Sequence, residues 1–170
     1  VRSVGAGSNL GSTTMQHPVT HFLLGLCILM YALSLWQGMD DFDFLLLWRV
    51  PEDALVSLGA MKRPAVYHGE LWRLASAGFL HANVLHLVLN GWALLVLGRI
   101  CEDFFGGPFT GIIFCASAIM GALLSCSVGT DLSVGASGGV LGCLFAISAL
   151  GLRERGRFSE DTQKMFRILT

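Results

Sequence analysis

A serine flanked by glycines, in the stretch Gly135-Ala-Ser137-Gly138, opens an apolar run that extends to about Leu152. Glycine permits tight turns and close approach of backbones because it carries no Cβ atom. A serine on such a turn, at the start of a helix, presents its hydroxyl beside backbone N–H groups that could hold an oxyanion. One interpretation of the pattern is a nucleophilic serine. The other is structural, because Gly138 and Gly142 have the spacing that lets membrane helices pack closely. Taken alone, the stretch favours the structural interpretation, since a single G-x-S-G is a weak signal.

A histidine and an asparagine stand four residues apart in an upstream apolar run, as His86 and Asn90. This spacing places both side chains on one face of a helix. Such groups are costly inside a membrane span, which makes them candidates for function. Both can donate N–H groups to an oxyanion when a serine attacks a carbonyl. The alternative is hydrogen bonding between helices, but together with Ser137 the set favours serine hydrolysis.

Composition predicts the class of protein. Of the 170 residues 54% are hydrophobic and 14% are charged, whereas soluble proteins have about 45–50% apolar residues. The chain is therefore predicted to be a polytopic membrane protein. A formal net charge of -1 gives no indication of a nucleic-acid partner. The five cysteines show no C-x-x-C pair and no metal-ligand spacing, so we interpret them as small core residues: Cys27, Cys101, Cys115, Cys126 and Cys143.

The apolar runs predict an all-α, polytopic transmembrane helical bundle. Its four spans are expected at about 19–36, 83–100, 109–128 and 137–152. The last span has a length of roughly 22 Å at 1.5 Å per residue, shorter than a ~30 Å hydrocarbon core. Ser137 is therefore expected to lie inside the membrane, at the bottom of a depression.

The remaining segments differ in composition from the spans. Residues 1–18 are rich in Gly, Ser and Thr and are predicted to form a disordered tail. The long segment 37–78 mixes charged and apolar residues, which favours short amphipathic pieces at the membrane interface. Basic residues crowd the chain after the fourth span, namely Arg153, Arg155, Arg157, Lys164 and Arg167. This end is therefore expected in the cytoplasm, which also puts the N-terminus there and opens Ser137 toward the outer side.

Two of these motifs resemble those of the rhomboid intramembrane serine proteases. The spacing His81-x4-His86-x3-Asn90 is similar to the family's H-x4-H-x3-N pattern, and the stretch around Ser137 is similar to its G-x-S-G. Trp72-Arg73 matches a Trp-Arg pair in the family's first external loop. Glu102, followed by Gly106, resembles an acidic residue at the end of its second span. The resemblance covers about residues 19–157, in the family's order and spacing.

The resemblance implies an enzyme that cleaves transmembrane segments with a Ser–His dyad. Ser137 would be the nucleophile, and His86 and Asn90 would stabilise the oxyanion. Supporting structural roles would go to His81, Gly135, Gly138 and Glu102, and Trp72 and Arg73 would organise the external loop. The alternative for that pair is an interfacial tryptophan and an ordinary surface arginine. The implied partners are transmembrane protein substrates that enter from the lipid bilayer, with no cofactor and no metal. The expected location is the bacterial inner membrane, with an organellar membrane as the alternative.

The chain departs from the family pattern in one respect. The family's general base is a histidine on a sixth span, and neither His17, His21 nor His68 matches it by position. One explanation is that the membrane domain, residues 19–170, is truncated before spans five and six, which the start at Val1 and the end in a basic loop favour. The other is a non-catalytic relative that binds membrane segments. The retained serine argues against the second. A transporter-like protein ranks last, because no internal repeat is found.

We expect the 170-residue chain by itself to be catalytically inactive, because the general base implied by the resemblance is not among its residues. The measurement is cleavage of a transmembrane substrate by the purified chain in detergent. Detectable cleavage that disappears on Ser137→Ala would contradict this expectation.

Overall fold

The computed structural model of the chain describes residues 16–38 and 49–153. Within them lie α1 (Pro18–Gln37), α2 (Glu52–Ser57), α3 (Arg63–Tyr67), α4 (Arg73–Ser76), α5 (Val84–Ala93), α6 (Arg99–Phe105), α7 (Gly107–Ser127) and α8 (Ser137–Arg153). Two short strands, β1 (Met61–Lys62) and β2 (Leu132–Ser133), form an antiparallel pair. Residues 1–15 of the predicted tail and the basic residues after Arg153 lie outside the described residues.

Three helices of the described part are long and apolar enough to cross a membrane: α1, α7 and a continuous helix Val84–Phe105. That last helix comprises α5, a π-helical turn Leu94–Gly98 and α6. Helix α8 is apolar but has only 17 residues. The predicted helical membrane bundle is confirmed, and the two-residue strands are its only sheet in the described ranges.

The second span is longer than the sequence predicts. It continues past residue 100 to Phe105, because the backbone first leaves helical geometry at Gly106, where φ is 75°. The charged residues Glu102 and Asp103 therefore lie within the helix and not in a loop. The next helix, α7, begins immediately afterwards at Gly107, two residues before the predicted boundary.

Helices α7 and α8 pack closely through small residues. A Cβ atom added to Gly138 would lie 3.2 Å from the carbonyl oxygen of Ser117, and one added to Gly142 would overlap the Ser117 side chain. A Cβ at Gly139 would lie 2.5 Å from the ring of Phe114, which is fully buried. The glycines of the serine stretch therefore serve helix packing as well as the turn.

Four of the five cysteines are buried, as expected, but the prediction is wrong for Cys115, which is exposed. The buried positions of α7 recur every four residues, at Thr110, Phe114, Ala118, Ala122 and Cys126. Cys115 lies one position off this stripe and therefore faces away from the bundle.

Glu102 lies at the end of the bundle opposite to Ser137 and binds the start of α1. Its carboxylate accepts hydrogen bonds from the backbone N–H of Val19 at 3.1 Å, the N–H of Thr20 at 2.9 Å and the Thr20 hydroxyl at 2.7 Å. These N–H groups belong to the first turn of α1, where a helix has no internal acceptor. His17, which precedes α1 with a φ of 62°, provides no side-chain cap. Glu102 thus caps α1 from another helix.

The segment between the first two spans contains the short helices α2, α3 and α4. Met61 pairs with Ser133 and Lys62 with Leu132, so β1 holds the loop that leads into α8. The backbone N–H of Gly135 donates to the carbonyl of Ala77 at 2.9 Å. This inter-span segment, residues 49–83, therefore supports the approach to Ser137 at two separate points.

We expect Glu102→Ala to lower the free energy of unfolding by roughly 2–3 kcal/mol, because several hydrogen bonds to a carboxylate and a helix cap are lost together. The measurement is reversible unfolding in mixed micelles. The matched control is Asp103→Asn, which breaks an exposed ion pair with His17 and should cost less than about 1 kcal/mol. Equal losses for the two variants would contradict the capping role.

Candidate active site

Ser137 is the first residue of α8, and its side chain is exposed. The turn before it depends on Gly135, whose φ of 126° is rarely accessible to residues that carry a side chain. Among the described residues, no group hydrogen-bonds to the Ser137 hydroxyl. The residue lines a cavity of about 180 Å³, together with Ser133, Gly135 and Gly138. The hydroxyl is therefore free and accessible.

His86 lies against the glycine turn. A Cβ atom at Gly135 would be 2.7 Å from Cε1 and 2.8 Å from Nε2 of the imidazole, so the ring occupies the space that a side chain would need. The backbone N–H of His86 is held by the side chain of Asn83, the N-cap of α5, at 2.8 Å. The structure thus places the imidazole beside the backbone two residues before Ser137.

Asn90 lies one helical turn after His86, as its spacing predicts. Its Nδ2 donates to the carbonyl oxygen of His86 at 2.9 Å, and the residue is only 8% exposed. An amide NH₂ group has two hydrogens, so one donor remains. No hydrogen bond in the described part of the chain joins Asn90 to Ser137, whereas the His86 ring lies directly against the serine turn.

His81 supports His86 from behind. It is fully buried, and its ring meets that of His86 edge to face, with centroids 5.1 Å apart. Burial, with a smaller contribution from His86, lowers the pKa of His81 to about 4, while the backbone of Phe79 acts in the opposite direction. Neither ring nitrogen has a partner at ordinary hydrogen-bond geometry in the described ranges. His81 is therefore neutral at physiological pH and acts on His86 by packing.

Arg73 is buried within the inter-span segment. Its Nε donates to Glu70 at 2.7 Å, and its Nη1 donates to the carbonyls of Val56 at 2.6 Å and Ala60 at 3.2 Å. The guanidinium also lies 4.7 Å from the centre of the Trp72 ring. Arg73 is thus not an ordinary surface arginine, since it joins the end of α2 to the residue before β1.

Trp72 is 53% exposed, but one edge of its ring covers Gly59, where a Cβ atom would overlap it. Sequence reasoning missed Gly59 and Glu70 as partners of this tryptophan–arginine pair. Glu70 stands three residues before Arg73, a spacing at which opposite charges often pair, and this was an available signal although Glu70 itself precedes α4. No comparable signal exists for Gly59.

The other three histidines lie away from the serine. His17 contacts Asp103 at 2.7 Å and His21 contacts Arg99 at 3.1 Å, both at the far end of the helix that carries His86. His68 is exposed after α3. Among the described residues, therefore, none of these three histidines has a hydrogen bond to the serine turn.

We expect Gly135→Ala to destabilise the protein through backbone strain and through collision with His86. Gly69→Ala is the matched control, since Gly69 also has a positive φ, of 98°, but an added Cβ would meet nothing within 4 Å. The loss of unfolding free energy should exceed that of the control by about 1–3 kcal/mol, the usual cost of overpacking. Equal losses would show that the imidazole does not depend on this glycine.

Comparison with known proteins identifies the family. Residues 68–169 match the model of the Rhomboid domain. The chain is 42% identical over 96 residues to RHOMBOID-like protein 5 of Arabidopsis thaliana, covering 55% of this chain and 31% of that protein. It is 34% identical over 106 residues to Rhomboid protease GluP of Bacillus subtilis, covering 62% and 21%. It is 38% identical over 116 residues to Rhomboid-like protease 3 of Toxoplasma gondii, covering 68% and 44%.

The chain therefore spans less than half the length of each of these three relatives. The family match covers the serine turn, the helix of His86 and Asn90, and the end of the segment between the first two spans. With its long apolar helices, this chain is an integral membrane protein, and it belongs to the rhomboid family.

Proposed function

We propose that the whole protein is an intramembrane serine endopeptidase that cleaves transmembrane segments of membrane proteins, with Ser137 as its nucleophile. The observation that carries this proposal is the free Ser137 hydroxyl in a cavity, beside a turn against which His86 is packed. Two of the similar proteins are themselves named proteases, which supports the same activity.

In the proposed reaction, the Ser137 oxygen attacks a substrate carbonyl and forms a bond to its carbon. A histidine on a further span, implied by the family resemblance, takes the hydroxyl proton and passes it to the leaving amine. Water then hydrolyses the acyl-enzyme, and the serine recovers its proton. The oxyanion would be held by N–H donors from His86, Asn90 and the backbone of Ser137, which lies in a first turn whose N–H groups lack helical acceptors.

His86 is the stronger of the two side-chain donors in this proposal. Its ring already lies against the turn at Gly135, whereas one hydrogen of Asn90 is occupied by the His86 carbonyl. Asn90 would act mainly by holding the helix backbone under the imidazole and would contribute its second hydrogen to the oxyanion. His81 would restrict the rotation of the imidazole by its edge-to-face contact.

The proposed orientation puts the N-terminus in the cytoplasm and the Ser137 cavity toward the outer side. It is supported by the basic residues that follow α8 in the sequence. The similar proteins come from Arabidopsis and Toxoplasma as well as from Bacillus. Similarity therefore does not favour the bacterial inner membrane over an organellar membrane.

The experiment uses the full-length protein in lipid bilayers, a transmembrane substrate and a fluorophosphonate probe. Ser137→Ala should abolish both cleavage and labelling, whereas Ser125→Ala, which changes another serine of the same cavity, should retain both. His86→Ala should lower kcat by about 10²–10³-fold, the usual effect of losing an oxyanion donor, and Asn90→Ala should lower it less.

The competing proposal is a membrane protein of the same fold that binds transmembrane segments without cutting them. It is favoured if the folded, full-length wild type is neither labelled by the probe nor able to cleave. In that case Ser137 would be only a packing residue at the start of α8. Labelling that survives Ser137→Ala would contradict the assignment of the nucleophile.

A further inference from the structure

The loop between α7 and α8 is attached to the inter-span segment by the strand pair and also by contacts between Arg63 and Asp131. We infer that Arg63 and Asp131 are positioning residues: their ion pair fixes the loop that walls the Ser137 cavity, and so limits the size of the substrate side chain that the cavity accepts. This inference rests on the proposed function. It concerns two residues that none of the sequence motifs includes.

Arg63 continues the antiparallel pairing by one residue through its backbone N–H, and its side chain makes a second contact with the same residue. After the pairs Met61–Ser133 and Lys62–Leu132, the N–H of Arg63 donates to the carbonyl of Asp131 at 2.9 Å. The guanidinium Nη2 then lies 3.0 Å from the Asp131 carboxylate. Both contacts act on the same residue of the loop, so Arg63 determines where the loop begins its approach to the serine.

Closer to Ser137, the loop is also held by the hydrogen bond from the Gly135 N–H to the Ala77 carbonyl. Between the two attachment points, Ser133 and Val134 of the loop line the cavity, which Ala118 of α7 lines as well. A shift of the loop at Asp131 therefore changes the distance between the loop and the part of the lining that other elements provide.

The strength of the attachment sets the size of the expected effect. The side chains of Arg63 and Asp131 are 38% and 70% exposed, and exposed ion pairs contribute little and are screened by salt. A pair of two-residue strands is also weak by itself. Loss of the ion pair should therefore widen the cavity without unfolding the protein, and the effect on selectivity should be about two- to fivefold.

The experiment uses three full-length variants at low salt. Two are the single variants Arg63→Ala and Asp131→Ala. The third is a double variant that carries both Arg63→Asp and Asp131→Arg and so swaps the two charges. The readout is the ratio of Ser137 labelling rates for two fluorophosphonates, one with a short and one with a bulky alkyl group. The short-to-bulky ratio should fall about two- to fivefold in each single variant, with Tm unchanged, and the swap should restore it. Glu52→Gln is the control, because it breaks the Lys62–Glu52 ion pair of the same segment without touching the loop.

Hydrogen exchange provides a second readout that does not depend on serine chemistry. The backbone amides at positions 63 and 135 should exchange faster in both single variants and return to the wild-type rate in the swap. Suppose that the wild type is labelled but both single variants keep its short-to-bulky labelling ratio and its amide exchange rates. That result would overturn the positioning role alone. A charge swap that restores neither the ratio nor the exchange rates would also overturn it. Absence of labelling in the wild type would instead overturn the proposed function.

Discussion

A chain that leaves helical geometry inside a protein must satisfy its backbone polar groups with partners from the same protein, because a buried N–H or C=O group without a partner costs free energy. The turn before Ser137 meets this constraint with the hydrogen bond from Gly135 to Ala77 and with the pairing of β2 to β1. Both partners come from the inter-span segment. That segment is therefore a structural requirement of the serine turn, which explains why a buried arginine, Arg73, is devoted to holding it together.

The glycines around Ser137 meet two structural requirements, a tight turn and close helix packing. Gly135 has a positive φ and leaves room for His86, so the turn and the imidazole occupy adjacent space. Gly138 and Gly142 have ordinary helical backbones but lie against Ser117 of α7. The two interpretations of this stretch, chemistry and packing, are thus not exclusive. Close packing of α8 against α7 fixes the helix whose first residue is the proposed nucleophile.

Local sequence patterns predicted the presence of the helices more accurately than the residues at which the helices end. The spacing of His86 and Asn90 placed them one turn apart on a helix, and the structure has Asn90 donating to the His86 carbonyl. The end of the second span was missed by five residues, because hydropathy falls at Glu102 while the helix continues to a glycine. Cys115 was assigned to the core from its apolar neighbours, although the helical period of α7 puts it off the buried stripe.

The sequence by itself determined the helical membrane class, the approximate spans, the short α8 and the resemblance that named the candidate residues, because each depends on local composition, periodicity or motif spacing. Only the tertiary structure decided that His86 lies against Gly135, that Asp131 meets Arg63 and that Glu102 caps α1. Such contacts join residues as far as 83 positions apart in the chain. They depend on how helices and loops pack together, and no local period or propensity encodes that arrangement.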